Sequence, residues 1–291
     1  MVRIHLRPPR IFYSSFNLNL MLVFSAIVPH PPLAIPEIGK GEDKKLDKTK
    51  LAFEKLASEL AQAEPDVIIF VTSHALIYPD QFNVCGVDQL TGDFSQYGYD
   101  KYTWTGKNDL ELAQSLVSAT EANDLKAILY DNGESKFVLD YGTMVPLYFF
   151  DKKLMENYQV LPIGYSYSTR AEHYEFGQVL AEVIKKSDKR IAVIASGDLS
   201  HRLNYDGPEG FAYEGESFDN QIIDLIIRKK DQEIMEFEED FVEDAGECGF
   251  NSILIMLGLM SEENYTPELY SYEGPFGVGH AVINLKLEEK N

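Results

Sequence analysis

Three short apolar runs in this chain each end at a polar stop that carries a histidine. Leu22 to Val28 runs into Pro29-His30-Pro31-Pro32, and Val67 to Val71 into Thr72-Ser73-His74. Ile191 to Ala195 runs into Ser196-Gly197-Asp198-Leu199-Ser200-His201. Unbroken apolar runs of strand length fit strands buried on both faces, as in a parallel sheet covered by helices. Proline forbids continuation of the first run, because it has no N–H to give a neighbouring strand. Between the runs the period changes: Leu46, Phe53, Leu56, Ala57 and Leu60 recur at helical spacing and predict an amphipathic helix over 45–63. Further helices are expected near 108–121, 171–186, 216–229 and 249–260, with a strand near 158–164 and two short strands before the end. No internal repeat and no Pro/Gly/Ser-rich linker divides the chain. The expectation is one α/β domain with a central, mostly parallel or mixed sheet flanked by helices.

Charge and cysteine usage narrow the function classes. The formal net charge of −21 disfavours nucleic acid and anionic membrane surfaces as partners, since both would repel the chain. Apolar runs stay short of the roughly 18 residues that suggest a transmembrane helix. Cys85 and Cys248 are too few and too far apart for a disulfide framework or a CxxC zinc knuckle, and they point to a reducing, cytoplasmic setting. A homo-oligomer is compatible with this composition. The first twenty residues carry Arg3, Arg7 and Arg10 and no acid, so residues 1–20 are expected to be a non-conforming leader ahead of a domain spanning 21–291. A start assigned too early, with Met21 opening the domain, is preferred to a targeting peptide.

His30, His74 and His201 share a placement just past the carboxyl end of an apolar strand. In open α/β sheets that edge is where ligands bind. A lone histidine is more often a hydrogen-bonded loop residue, but three at equivalent strand ends can converge. His5 falls in the leader, and His173, beside Glu172 and Glu175, is expected on solvated surface. Two neutral imidazoles and one carboxylate with open positions suit non-haem Fe(II), and the same ligands with one water suit a hydrolytic zinc. The third ligand is expected from Ala245-Gly246-Glu247-Cys248-Gly249. Each candidate there has a bland alternative: Glu247 as a helix N-terminal acid and Cys248 as a small buried hydrophobe. GxSxG, Walker A and complete GxGxxG motifs are absent from the sequence. The glycine-rich stretch Gly274–His280 precedes a strand, so phosphate cradling is not expected.

VPHPPL at 28–33, SH at 73–74, DYGTMVPLYF at 140–149, SGDLSH at 196–201, AGECGFNSI at 245–253 and EGPFGVG at 273–279 carry a family resemblance. Together they resemble the class III extradiol dioxygenase (LigB) superfamily, and within it the LigB-like domain of AmmeMemoRadiSam system proteins, relatives of Memo. The resemblance implies that His30 and His74 ligate ferrous iron, with zinc or copper as alternatives, and that His201, beside Asp198, is an acid/base. It also implies a small aromatic substrate, catechol- or aminophenol-like, and O2 as partners. For the third ligand it implies either Glu247, as in the dioxygenases, or Cys248 followed by Gly249, as in Memo-like proteins. Glu247 is narrowly preferred. Where the family commonly has DHGT, this chain has Asp140-Tyr141-Gly142-Thr143; a tyrosine can donate a hydrogen bond but is a poor base at neutral pH. Tyr141, Tyr148 and Phe276 are candidate pocket walls. The competing expectation is a Memo-like metal-binding or interaction protein without ring cleavage.

Overall fold

Alternate residues of a strand buried on both faces must enter two different cores, and this molecule is built around strands of that kind. The structure, a computed structural model, describes residues 21–131, 133–154 and 158–288; the leader expected at 1–20 lies outside the described residues. In chain order the strands are β1 (Leu22–Val28), β2 (Val67–Thr72), β3 (Phe82–Cys85), β4 (Gln89–Phe94), β5 (Tyr99–Lys107) and β6 (Ala127–Tyr130). They continue with β7 (Phe137–Val138), β8 (Gln159–Gly164), β9 (Ile191–Ser196), β10 (Tyr265–Glu273) and β11 (His280–Leu287). One sheet has the order β10-β11-β1-β9-β2-β8-β3-β6, and a smaller one the order β5-β4-β7.

The centre of the large sheet, β1-β9-β2-β8, is parallel, so these strands end at one edge. Antiparallel pairs at β1–β11, β10–β11 and β8–β3 make the sheet mixed. In β2, Val67, Ile69 and Val71 enter one core and Ile68 and Phe70 the other. The first core is closed by helices Leu110–Ala122, Arg170–Lys186, Tyr213–Ile227 and Phe250–Met260, and the second by Asp47–Gln62 and Tyr141–Asp151. Among the described residues no helix is long and apolar enough to cross a membrane.

Several expectations need correction. Strands β3 to β7 and helix Tyr141–Asp151 were not foreseen, and β10 and β11 are full-length strands where short ones were expected. His173 is not solvated surface: it is fully buried, with its ring nitrogens 2.8 Å from the Thr169 carbonyl and 3.1 Å from the Ser166 carbonyl. It lies on the same helical stripe as Phe176, Leu180 and Ile184, which face the first core. Stripe membership outweighed its polar neighbours.

Helices Arg170–Lys186 and Phe250–Met260 cross at a point where only glycine fits. A Cβ on Gly258 would lie 1.9 Å from the Tyr174 carbonyl oxygen, and one on Gly177 2.0 Å from that of Ile255. Gly258→Ala is therefore expected to cost about 1–3 kcal/mol despite its better helix propensity, because the backbones must separate. Chemical denaturation measures it; unchanged stability would show that the crossing relaxes freely.

Candidate metal centre

Val28, Ser196 and Thr72 are register partners at the ends of β1, β9 and β2. Two residues beyond each lie His30, Asp198 and His74, so three neighbouring loops present these side chains in a row. The Nε2 atoms of His30 and His74 are 3.0 Å apart, and the Cys248 Sγ is 3.5 Å from His30 Nε2. The donor atoms of His30, His74 and Cys248 all lie within 4.8 Å of one another, as do those of Asp198, His201 and Cys248.

His30 is held by a chain of bonds that begins at a proline. Pro146, inside helix Tyr141–Asp151, has no N–H, so the Gly142 carbonyl four residues earlier lacks its usual helical donor. The Ser196 hydroxyl donates to that carbonyl at 2.5 Å. Having spent its proton, Ser196 Oγ can only accept from His30 Nδ1, 3.1 Å away. The tautomer assigned in this way is Nδ1–H, which leaves the Nε2 lone pair facing the other donors. Asp198 fixes the same loop, its Oδ1 accepting from the His30 N–H at 2.9 Å.

His74 is set from the opposite side. Its N–H donates to Thr72 Oγ1 at 3.2 Å, and that hydroxyl donates to Asp140 Oδ1 at 2.6 Å. Asp140 also caps helix Tyr141–Asp151 by accepting from Thr143 N, which places the Tyr141 ring stacked on the His74 ring with centroids 4.0 Å apart. A Cβ at Gly142 would lie 2.4 Å from Thr72 Oγ1, so the helix start can approach β2 this closely only at a glycine.

Cys248 arrives by a comparable close approach. A Cβ on Gly197 would lie 2.2 Å from the Gly249 Cα, so the loop after β9 and the start of helix Phe250–Met260 touch backbone to backbone. The contact lets Asp198 N–H donate to Cys248 Sγ at 3.3 Å. Glu247, the acid preferred from the sequence, is turned elsewhere: its carboxylate accepts from the Phe250 N–H at the helix start. Burial pushes Glu247 up to about 7, against the pull of that bond.

The donor set fits a metal ion. Burial lowers both imidazoles, that of His74 to about 3 with His30 adding to the effect, so each is neutral at pH 7, as a ligand must be. The Cys248 thiol is raised well above its ordinary value, first by burial and then by Asp198 and Glu247. Without an ion it stays protonated; coordination would remove the proton. Ligand nitrogens at about 2.0–2.1 Å and sulfur at about 2.3 Å from a tetrahedral ion imply spacings of roughly 3.3–3.6 Å. The observed 3.0 and 3.5 Å come within about 0.3 Å of those spacings, so a small shift of the imidazoles would seat the ion.

His201 stands beside this group with 20% of its side chain exposed, Nδ1 3.2 Å from Glu209 Oε1. Tyr97 meets Tyr141 edge to face at 5.9 Å and forms further aromatic wall, whereas Tyr148 packs in the second core with its hydroxyl on Glu37. Burial raises the Tyr141 phenol above its ordinary value, so it stays protonated at neutral pH and does not act as a base. Phe276 lies against the second core, with Lys45 above its ring. Sequence reasoning passed over Ser196, Thr72 and Asp140, although all three stand in quoted motifs or at a strand end. It also passed over His280, buried near Asp198 at the start of β11. The signal there was a histidine closing the glycine-rich stretch.

Residues 25–283 match the family model described as the catalytic LigB subunit of aromatic ring-opening dioxygenase. Protein CA_C1420 of Clostridium acetobutylicum is 33% identical over 89% of this chain, and the chain spans 56% of that relative's length. The 2-aminophenol 1,6-dioxygenase beta subunit of a Pseudomonas species is 22% identical over 92% of this chain and 95% of its own. A MEMO1 family protein of Methanococcoides burtonii is 27% identical over 56% of this chain and 61% of its own. Among solved structures, uncharacterized protein JW3007 of Escherichia coli K12 superposes with a TM-score of 0.62 at 15% identity, covering 90% of this chain and 99% of that one. That likeness supports the fold.

Removing the hydroxyl that sets the His30 tautomer should weaken the site without dismantling it. Ser196→Ala is expected to lower Zn(II) affinity about 10- to 100-fold, the usual effect of losing a ligand's supporting bond. Competition against a chromophoric chelator measures it, and unchanged affinity would separate Ser196 from metal binding.

Proposed function

The chain belongs to the LigB family, and from that premise we propose that it is a metal-dependent oxygenase of small aromatic rings whose metal is held by His30, His74 and Cys248. The carrying observation is the convergence of these three donors at the edge where three parallel strands end. A bound redox metal would supply the electron transfer that lets O2 react with an aromatic ring. Fe(II) is the ion the family relation favours, while a thiolate among the donors also suits copper and zinc. Cys85 and Cys248 are both free thiols, and a reducing cytoplasm would keep Cys248 available.

The side chains divide the remaining work. Ser196 and Asp198 orient His30, and Thr72 with Asp140 orients His74. Tyr141, stacked on His74, and Tyr97, edge to face with Tyr141, form an aromatic wall against which a catechol- or aminophenol-like ring can lie. Glu209 holds Nδ1 of His201, which leaves Nε2 to exchange a proton with a substrate hydroxyl. The Pseudomonas relative named as a dioxygenase subunit supports this reading.

A second reading, metal binding without ring cleavage, is favoured by the thiol donor and by tyrosine at position 141, and MEMO1 family relatives fit it.

Elemental analysis separates the two neighbours at the third ligand position: Cys248→Ala is expected to lose stoichiometric metal and Glu247→Ala to keep it. The reverse outcome would put the carboxylate on the metal. Anaerobic loading with Fe(II), followed by oxygen uptake with catechols and aminophenols, tests the activity. Uptake supports the oxygenase; a fully loaded protein that takes up no oxygen with any of them points to the second reading. His201→Ala is expected to keep its metal and lose turnover about 10²- to 10⁴-fold. Normal uptake in that variant would remove His201 from the mechanism.

A further inference from the structure

We propose that this site selects aromatic rings bearing neutral or amine substituents and turns away rings that carry a carboxylate. The inference rests on the proposed function, since it concerns the substrate of the same metal site.

The charge around the donors is one-sided. Asp198 is buried, with Oδ2 3.7 Å from His30 Nε2. Asp140 stands at the foot of the Tyr141 wall, bonded to Thr72 Oγ1 and Thr143 Oγ1. Both carboxylates act on His30. Among the described residues, the charged groups that act most strongly on His30, His74, Tyr141, Asp198 and Cys248 are carboxylates and histidines, with no lysine or arginine among them.

The arginines carried by neighbouring segments are engaged elsewhere. Arg202 Nε is 3.3 Å from Glu209 Oε2, and its Nη1 donates to the Asp244 carbonyl at 3.2 Å. Arg170 donates to the Met235 and Phe237 carbonyls and lies over the Phe250 ring. A substrate carboxylate entering beside the metal would meet acids and phenols, with its own desolvation uncompensated.

The ion's own charge does not reverse this. A divalent metal brings two positive charges, and a coordinated thiolate with the Asp198 and Asp140 carboxylates brings three negative ones. An ammonium group, in contrast, would be attracted by the same two acids. The whole-chain charge of −21 acts in the same sense at longer range, concentrating cations around the molecule and depleting anions.

The test uses the full chain loaded with Zn(II), which binds a diol without oxidising it, and reads affinity by titration calorimetry. Three probes share one catechol head: 4-ethylcatechol, 4-(2-aminoethyl)catechol and 3,4-dihydroxyphenylacetate. The neutral and amine forms are expected to bind at least about tenfold more tightly than the carboxylate, the order that like-charge repulsion dictates. Equal or tighter binding of the carboxylate, with the neutral form also bound, overturns the charge inference and leaves the proposed function standing. If none of the three shows metal-dependent binding, the proposed function falls and takes this inference with it. Asp198→Asn should narrow the gap several-fold, and an unchanged gap in a folded variant would contradict the part given to Asp198; the wild-type ranking decides the proposal if that variant does not fold.

Discussion

The in-register parallel pairing of β1, β9 and β2 carries everything built above it. Because both faces of these strands are apolar and buried, face identity alone does little to stop a slip of register. The ends of the strands do more. At one end Ile191 N–H donates to the Met21 carbonyl, Asp66 N–H to the Arg190 carbonyl, and Arg190 N–H to Asp66 Oδ2. At the other, Gly197 N–H donates to the Val28 carbonyl. Any slip would leave several of these buried or part-buried groups unpaired, each at up to about 1–3 kcal/mol. With register fixed, His30, Asp198 and His74 leave the sheet side by side.

What the sheet positions, the surrounding loops orient. Pro146 frees a carbonyl, Ser196 takes it, and the His30 tautomer follows; Asp140 both caps a helix and, through Thr72, supports His74. Two glycine contacts let these parts come together: Gly142 against Thr72, and Gly197 against Gly249. The arrangement is one in which every ligand candidate has a partner that sets its direction, as tight metal binding requires.

Much of this was legible in the sequence, for physical reasons. Parallel strands buried on both faces read as unbroken apolar runs, so the ends of β1, β2 and β9, and their histidines, could be found directly. Strands β3 to β7 are short or half-exposed and leave no such trace. Helix Tyr141–Asp151 is buried on nearly all sides, so it lacks the polar stripe that marks a helix, although its residues stood out as a motif. Position alone could not tell Glu247 from Cys248. Gly246, at φ 61° in the left-handed region, and the free N–H groups at the start of helix Phe250–Met260 turn the carboxylate to the backbone and the thiol to the histidines. His173 was readable from its helical spacing and was misjudged from its charged neighbours.

In the proposed site one metal ion is held by two imidazole nitrogens and one thiolate at this sheet edge. Anomalous diffraction from crystals of the Zn(II)-loaded full chain tests it most directly. A single strong peak is expected about 2.0–2.1 Å from Nε2 of both His30 and His74 and about 2.3 Å from Cys248 Sγ. A peak bonded to a Glu247 oxygen with Cys248 turned away, or no peak near His30 and His74, would contradict it.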